Sequence, residues 1–105
     1  MFEEIRDIPF SKAFENKKTV SIDYDETFNL DPILFLKVIS LFQKAGFNVI
    51  CCTFRYEEEK DDGFELLINA GVKCYFTGRI KKEKYLKEKG IDVDIWIDDD
   101  PSSII

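Results

Sequence analysis

The stretch VSIDYDETF, Val20 to Phe28, runs a short β-prone segment straight into two aspartates, Asp23 and Asp25, with Thr27 two positions further on. Thr19 to Tyr24 reads as a buried strand, so both carboxylates fall at its carboxyl end, where open α/β sheets bind their ligands. Three later segments, Gly46 to Thr53, Gly71 to Thr77 and Gly90 to Ile97, share a pattern of glycine, apolar residue, polar residue and β-prone run. Each follows a stretch of helical character, with the glycine where a helix-ending residue takes a left-handed conformation. Short apolar strands alternating with helices predict four parallel strands covered on both faces, a three-layer α/β/α, Rossmann-like architecture.

The clearest helix starts after Asp31, a good N-cap, with Pro32 at the first helical position, and runs to Gly46. Ile33, Leu34, Phe35, Leu36, Val38, Ile39, Leu41 and Phe42 leave it little polar surface. Such a helix is either heavily buried or shared between the core and a partner interface. A second helix is expected near Gly63 to Ala70 and a third near Lys81 to Lys89. Met1 to Lys18 reads as an N-terminal extension packing on the core, with Ile8-Pro9-Phe10 pinning it and a short helix over Ser11 to Asn16. The mixed-charge run Glu57 to Asp62 has no apolar period and reads as a solvated loop or frayed helical turn.

A chain of 105 residues, 45% hydrophobic, fits one domain over residues 1–105. It has no His, which removes every imidazole mechanism and leaves acid/base work to carboxylates. Fifteen Lys and Arg against 21 Asp and Glu, a net charge of -6, oppose non-specific binding to duplex nucleic acid. Partners are expected to be small, cation-linked or protein. Cys51, Cys52 and Cys74 have neither a disulfide framework nor CxxC spacing, which suits a reducing cytosol. Met1 to Arg6 lacks a leader's apolar region, and no segment approaches the roughly 18 apolar residues of a membrane span. A soluble, cytoplasmic protein with no membrane partner is the expectation.

Asp23 and Asp25 resist joint ionisation unless they share a proton or a divalent cation, and all-oxygen ligands suit Mg2+. Alternatively, the pair is a turn or helix cap. A second cluster, Asp98-Asp99-Asp100, ends the last expected strand. Parallel strands put their carboxyl ends along one edge, so the two clusters can converge on a cation. Asp100 before Pro101 also suits an N-cap, with Ser102 and Ser103 in the first turn. Thr53 closes its strand on the same edge and can donate to a phosphoryl oxygen. Lys82 offers a cation for an anionic ligand or for Asp23, with Lys81 and Lys84 as competitors. Arg55, Tyr56 and Arg79 follow strand ends and form a substrate rim or plain surface.

In order, these are DxDxT after one strand, Thr after the next, Lys before the fourth and an acidic cluster at its end. That order resembles the haloacid dehalogenase (HAD) superfamily of phosphatases over Thr19 to Ser103, touching all four of its motifs. DYDETFNLDP, CCTFR, YFTGRIKKEKYL and DIWIDDDP look like small HAD-like proteins often encoded by bacteriophages, which would place the protein in a host cytoplasm. The resemblance implies strand order 3-2-1-4 and a Mg2+-dependent phosphomonoester phosphatase with an aspartyl-phosphate intermediate, acting on a phosphorylated small molecule such as a nucleotide or on a nucleic acid end. It implies Asp23 as nucleophile, Asp25 as general acid and base, and Thr53 and Lys82 as phosphoryl binders. The metal ligands would be Asp23, the Asp25 carbonyl, Asp98 and Asp99, and Thr27 would join Arg55, Tyr56 and Arg79 in holding substrate.

Two features depart from the family's pattern. Glu26 stands where Gly is commonest, adding negative charge and removing backbone freedom. Only two residues follow Ser103, where the family usually adds a helix and a fifth strand. The intervals Phe28 to Val49 and Phe54 to Lys73 each hold one helix and a loop, which leaves no room for a cap domain. A capless site needs a second copy, a protein partner or a large substrate to exclude water. The rival expectation is a catalytically weak or inactive HAD-like module that holds an anionic ligand or a host protein. A response-regulator receiver also joins acids, Thr and Lys at strand ends, but in a different strand order.

Overall fold

Thr19–Ile22 (β1) is buried at every position, as a central strand of β-branched and small residues should be. In the computed structural model, which describes residues 18–105, β1 is flanked in parallel by Asn48–Thr53 (β2) and Ile95–Ile97 (β4). Lys73–Phe76 (β3) adds in parallel outside β2, giving the order β3-β2-β1-β4. Ile22 lies opposite Cys51 on one side and Ile97 on the other. Asp23 and Asp98, the next residues of β1 and β4, are therefore held side by side, with Asp23 N donating to the Ile97 carbonyl at 2.9 Å.

Helices cover both faces. Pro32–Lys44 (α1) and Gly63–Asn69 (α2) bury Phe35, Ile39, Phe42, Phe64 and Leu67 against Val20, Ile22, Val49 and Cys51. Lys82–Glu88 (α3) lies on the opposite face, with Tyr85 and Leu86 against Ile50, Cys52 and Trp96. The alternation of β2 side chains between these two clusters is the period-two signature of a strand buried on both sides. Asp31 caps α1 as expected, its Oδ1 accepting from Leu34 N at 3.1 Å. The glycines that follow the helices, Gly46, Gly71 and Gly90, have φ of 91°, 80° and 78°.

The fourth strand is shorter than the sequence pattern suggests. Ile91 N turns back to the Leu86 carbonyl at 2.9 Å, which keeps the chain in the helix-ending turn. Asp94 then clamps Thr19, accepting from Thr19 N through Oδ2 and donating its own N to the Thr19 carbonyl, both at 2.9 Å. Pairing proper begins only at Ile95.

Two expectations that left alternatives open are decided. The Glu57 to Asp62 run is exposed and takes the helical-turn alternative, with Glu57–Glu59 in a 3-10 turn and the Glu59 carboxylate accepting from Tyr56 N at 2.7 Å. Helix α1 is not heavily buried: Ile39 is its only fully buried residue, while Ile33 (70%) and Leu41 (68%) stand exposed. The expected extension over Met1 to Lys18, with its short helix over Ser11 to Asn16, lies outside the described residues but for Lys18. Among the described residues no helix is long and apolar enough to cross a membrane.

Removing three methyl or methylene groups by Ile39→Ala should cost about 2 to 5 kcal/mol in urea denaturation, whereas Leu41→Ser should stay within about 0.5 kcal/mol. A Leu41 loss matching that of Ile39 would mean that this face is covered in solution.

Candidate functional site

Lys82 is the least expected residue of the interior, 2% exposed at the first turn of α3. Four positions before Leu86, it shares that residue's sheet-facing side, and its Nζ reaches past the Phe54 ring at 5.7 Å to the strand ends. It donates to Asp23 Oδ1 at 2.9 Å and to Asp98 Oδ2 at 2.5 Å. Neither of the competing lysines does this: Lys81 donates to the Ser102 carbonyl, and Lys84 is exposed.

Around this ammonium, Asp23, Asp98 and Asp99 each bring one carboxylate oxygen within 4.8 Å of the others. Three carboxyl groups thus meet one ammonium, Asp23 only 7% exposed and Asp99 open to solvent. Burial pushes the Asp23 carboxyl up to about 7, against the pull of Lys82, and Asp99 and Asp98 add to the upward push. Burial also works against the Lys82 cation, but its bonds to Asp98 and Asp23 more than offset that and hold its pKa above the ordinary value. Three carboxylate oxygens within 4.8 Å of one another are the donor type that a hard divalent cation takes.

The cleft over these residues measures about 180 Å³ and is also lined by Asp25, Glu26, Asp100, Phe54 and Ser103. Asp100 takes the cap role expected for it, its Oδ1 accepting from Ser102 N at 3.2 Å ahead of the 3-10 turn Pro101–Ser103. That turn brings in Ser103, whose hydroxyl donates to the Asp100 carbonyl at 2.8 Å and lies 3.4 Å from Asp98 Oδ2. Glu26 sits at φ 58°, the left-handed region, with its N donating to Asn29 Oδ1 at 2.9 Å. A larger groove of about 530 Å³ follows the outer edge of β3 past Lys73, Tyr75, Tyr85 and Lys89, but the carboxylate cluster is not there.

Asp25 reaches the cleft on different terms from Asp23. Its carboxylate is held side-on by Arg55, with Nε 3.0 Å from Oδ2 and Nη2 2.7 Å from Oδ1. Arg55 Nη1 donates to the Glu59 carbonyl at 2.7 Å and to Asp61 Oδ2 at 3.3 Å. The guanidinium carbon lies 5.1 Å from the centre of the Tyr24 ring and 5.8 Å from that of Phe64. Tyr24 in turn donates its hydroxyl to Asp61, which lowers the Asp61 carboxyl, while burial first and then Asp61 push the Tyr24 phenol up. The bonds Arg55 donates to Asp25, with burial opposing them, leave the Arg55 pKa above its ordinary value.

The remaining sequence-selected residues are close by without lining the cleft. Thr53 is fully buried, and its Oγ1 accepts from Arg55 N at 3.2 Å. Thr27 is buried beside the Phe28–Leu30 turn, its carbonyl accepting from Leu30 N. Arg79 stacks over Tyr56 at 5.4 Å, donates to the Phe54 carbonyl at 2.6 Å and pairs with Glu59 at 3.3 Å. Sequence reasoning did not single out Phe54, Ser103, Tyr24 or Asp61. Only the first two carried any signal, as neighbours of Thr53 and of the Asp100 cap.

No family model, curated protein or solved structure matches this chain. The site is therefore read from its own chemistry.

One consequence is testable without a substrate. The folded chain holds a proton on Asp23 up to about pH 7, whereas an unfolded Asp releases it near 3.8. Between those values the folded state binds the extra proton, so this group's contribution to stability declines as pH rises. In EDTA, the stability of Asp23→Asn relative to wild type should shift in the variant's favour from pH 4.5 to pH 7.5, whatever its offset from losing the bond to Lys82, measured by urea denaturation. A difference that stays constant or shifts the other way over that range would contradict the assignment.

Proposed function

We propose that this chain is a capless HAD-like phosphatase that hydrolyses a phosphomonoester with Mg2+. The observation that carries the reading is the meeting of Asp23, Asp98 and Asp99 around the buried Lys82 ammonium at adjacent strand ends. The order β3-β2-β1-β4 agrees with it, as does the single helix in each interval where a cap would be inserted. Fold alone would not justify an activity; this residue set, in this order along the chain, supports one.

Asp23, Asp98 and Asp99, with the Asp25 carbonyl, would hold Mg2+, which supplies positive charge to a bound phosphate and to these carboxylates. Lys82 neutralises a second share of the phosphoryl charge, and Thr53, at the end of β2 beside Asp23's strand, is the hydroxyl the resemblance assigns to the phosphoryl group. An Asp23 carboxylate oxygen attacks phosphorus. The bond from phosphorus to the leaving oxygen breaks, its electron pair stays on that oxygen, and Asp25 supplies the proton. A water molecule then gives a proton to Asp25 as its oxygen attacks phosphorus. The bond to Asp23 breaks, which frees phosphate and restores the carboxylate. An uncapped cleft admits either a nucleotide or a nucleic acid end, with the rest of the substrate outside it.

A second reading is favoured by one observation. Both Asp25 oxygens are engaged by Arg55, which suits a module that holds an anion or a protein without turnover. The two separate in one assay. Wild type should release phosphate from p-nitrophenyl phosphate only with Mg2+, and Asp23→Asn should lose at least about 1,000-fold of that rate. Mg2+ should also raise the melting temperature, less so in Asp98→Asn; at 100 times its dissociation constant it adds about 2.7 kcal/mol. Turnover by Asp23→Asn equal to wild type would overturn the phosphatase reading. A Mg2+ shift with no turnover on any phosphomonoester would leave the binding module.

A further inference from the structure

We infer that Arg55 is a positioning residue for Asp25: it fixes the carboxyl group that serves the leaving oxygen, rather than gripping substrate at the rim. The inference rests on the phosphatase reading. A residue meant to bind substrate should offer free donors toward the cleft. Arg55 instead uses four of its five N–H groups on the protein, Nε and one of Nη2 on Asp25 and both of Nη1 on the Glu59 carbonyl and Asp61, and it is not among the residues lining the cleft. The stacked rings of Tyr24 and Phe64 lie beside the guanidinium, and the Tyr24 hydroxyl is bonded to the same Asp61 that receives Nη1.

Asp25 needs such support. Its side chain is 46% exposed, it stands beyond the end of β1, and the next residue already has left-handed φ. An exposed carboxylate on a turn samples several rotamers, and each costs proton transfer its alignment with the leaving oxygen. The side-on guanidinium leaves one orientation in which the carboxylate faces the cleft. The loop from Tyr56 to Gly63 thereby becomes part of the acid/base apparatus, since Glu59 and Asp61 anchor the guanidinium from outside.

The distinguishing readout is leaving-group dependence. p-Nitrophenolate departs with little help, whereas an alkoxide needs the proton from Asp25. With Mg2+ present, kcat/KM for p-nitrophenyl phosphate and for glycerol phosphate should be measured for wild type, Asp25→Asn, Arg55→Gln and Arg55→Lys, with melting temperatures as a check on folding. Arg55→Gln should lose about 10- to 100-fold more on the alkyl ester than on the aryl ester, in the same sense as Asp25→Asn. Arg55→Lys, which keeps a donor but not the side-on pair, should fall between. Asp61→Asn leaves Arg55 and Asp25 in place, covers the case in which Arg55→Gln does not fold, and should show a smaller loss of the same selectivity. Equal losses on both esters, whether through binding or through general loosening, would overturn the positioning role while wild-type turnover still stood for the phosphatase. No turnover by wild type on either ester would remove both readings.

Discussion

A single buried ammonium organises this molecule. Lys82 carries a full charge at 2% exposure, tolerable only because Asp23 and Asp98 accept from it directly. Those bonds join the first described strand, the helix before the last strand and the end of that strand, three pieces of chain far apart in sequence. A buried ion pair of this kind is weak evidence for stability, because the cost of desolvating its charges offsets much of their attraction. Three carboxylates meet there against that one ammonium.

A second charged cluster sits just outside the first and is built differently. Around Lys82, Asp23 and Asp98 are buried and crowded, while Asp99 reaches solvent. Around Arg55 the carboxylates of Asp25 and Asp61 are half exposed, and the buried rings of Tyr24 and Phe64 lie beside the guanidinium. Exposure lets water screen this outer network, so its pairs add little to stability and its value lies in geometry. Asp23 and Asp25, two residues apart in one turn, thus live in unlike surroundings. That difference is what would let neighbouring aspartates divide nucleophile and proton-transfer duties.

Much of the architecture was legible because it follows from local chemistry. The Asp31-Pro32 start of α1 and the glycines after the helices reported element ends, and near-continuous apolar runs reported a doubly covered parallel sheet. Strand ends then placed Asp23, Thr53 and Asp98 along one edge, whereas only the family resemblance chose Lys82 over Lys81 and Lys84; the structure adds that Leu86, four positions on from Lys82, faces the sheet. Illegible were the features that depend on which loops meet. Nothing in EEEKDD distinguishes a solvated run from one whose Glu59 and Asp61 brace an arginine. Nor does the order of letters reveal that Arg55 turns to Asp25 and not to solvent. The short fourth strand escaped for a similar reason, since the Asp94 clamp on Thr19 is a contact between distant segments.

The central claim is that Asp23, Asp98 and Asp99 are one cation site built around a phosphoryl acceptor. A crystal structure of the protein with Mg2+ and beryllium fluoride tests it most directly. The account predicts one octahedral ion touching those aspartates and a fluoride adduct on an Asp23 carboxylate oxygen, with Lys82 Nζ turned toward the fluorides. A structure from saturating soaks in which Lys82 still bridges Asp23 and Asp98, with neither ion nor adduct between the strand ends, would contradict it.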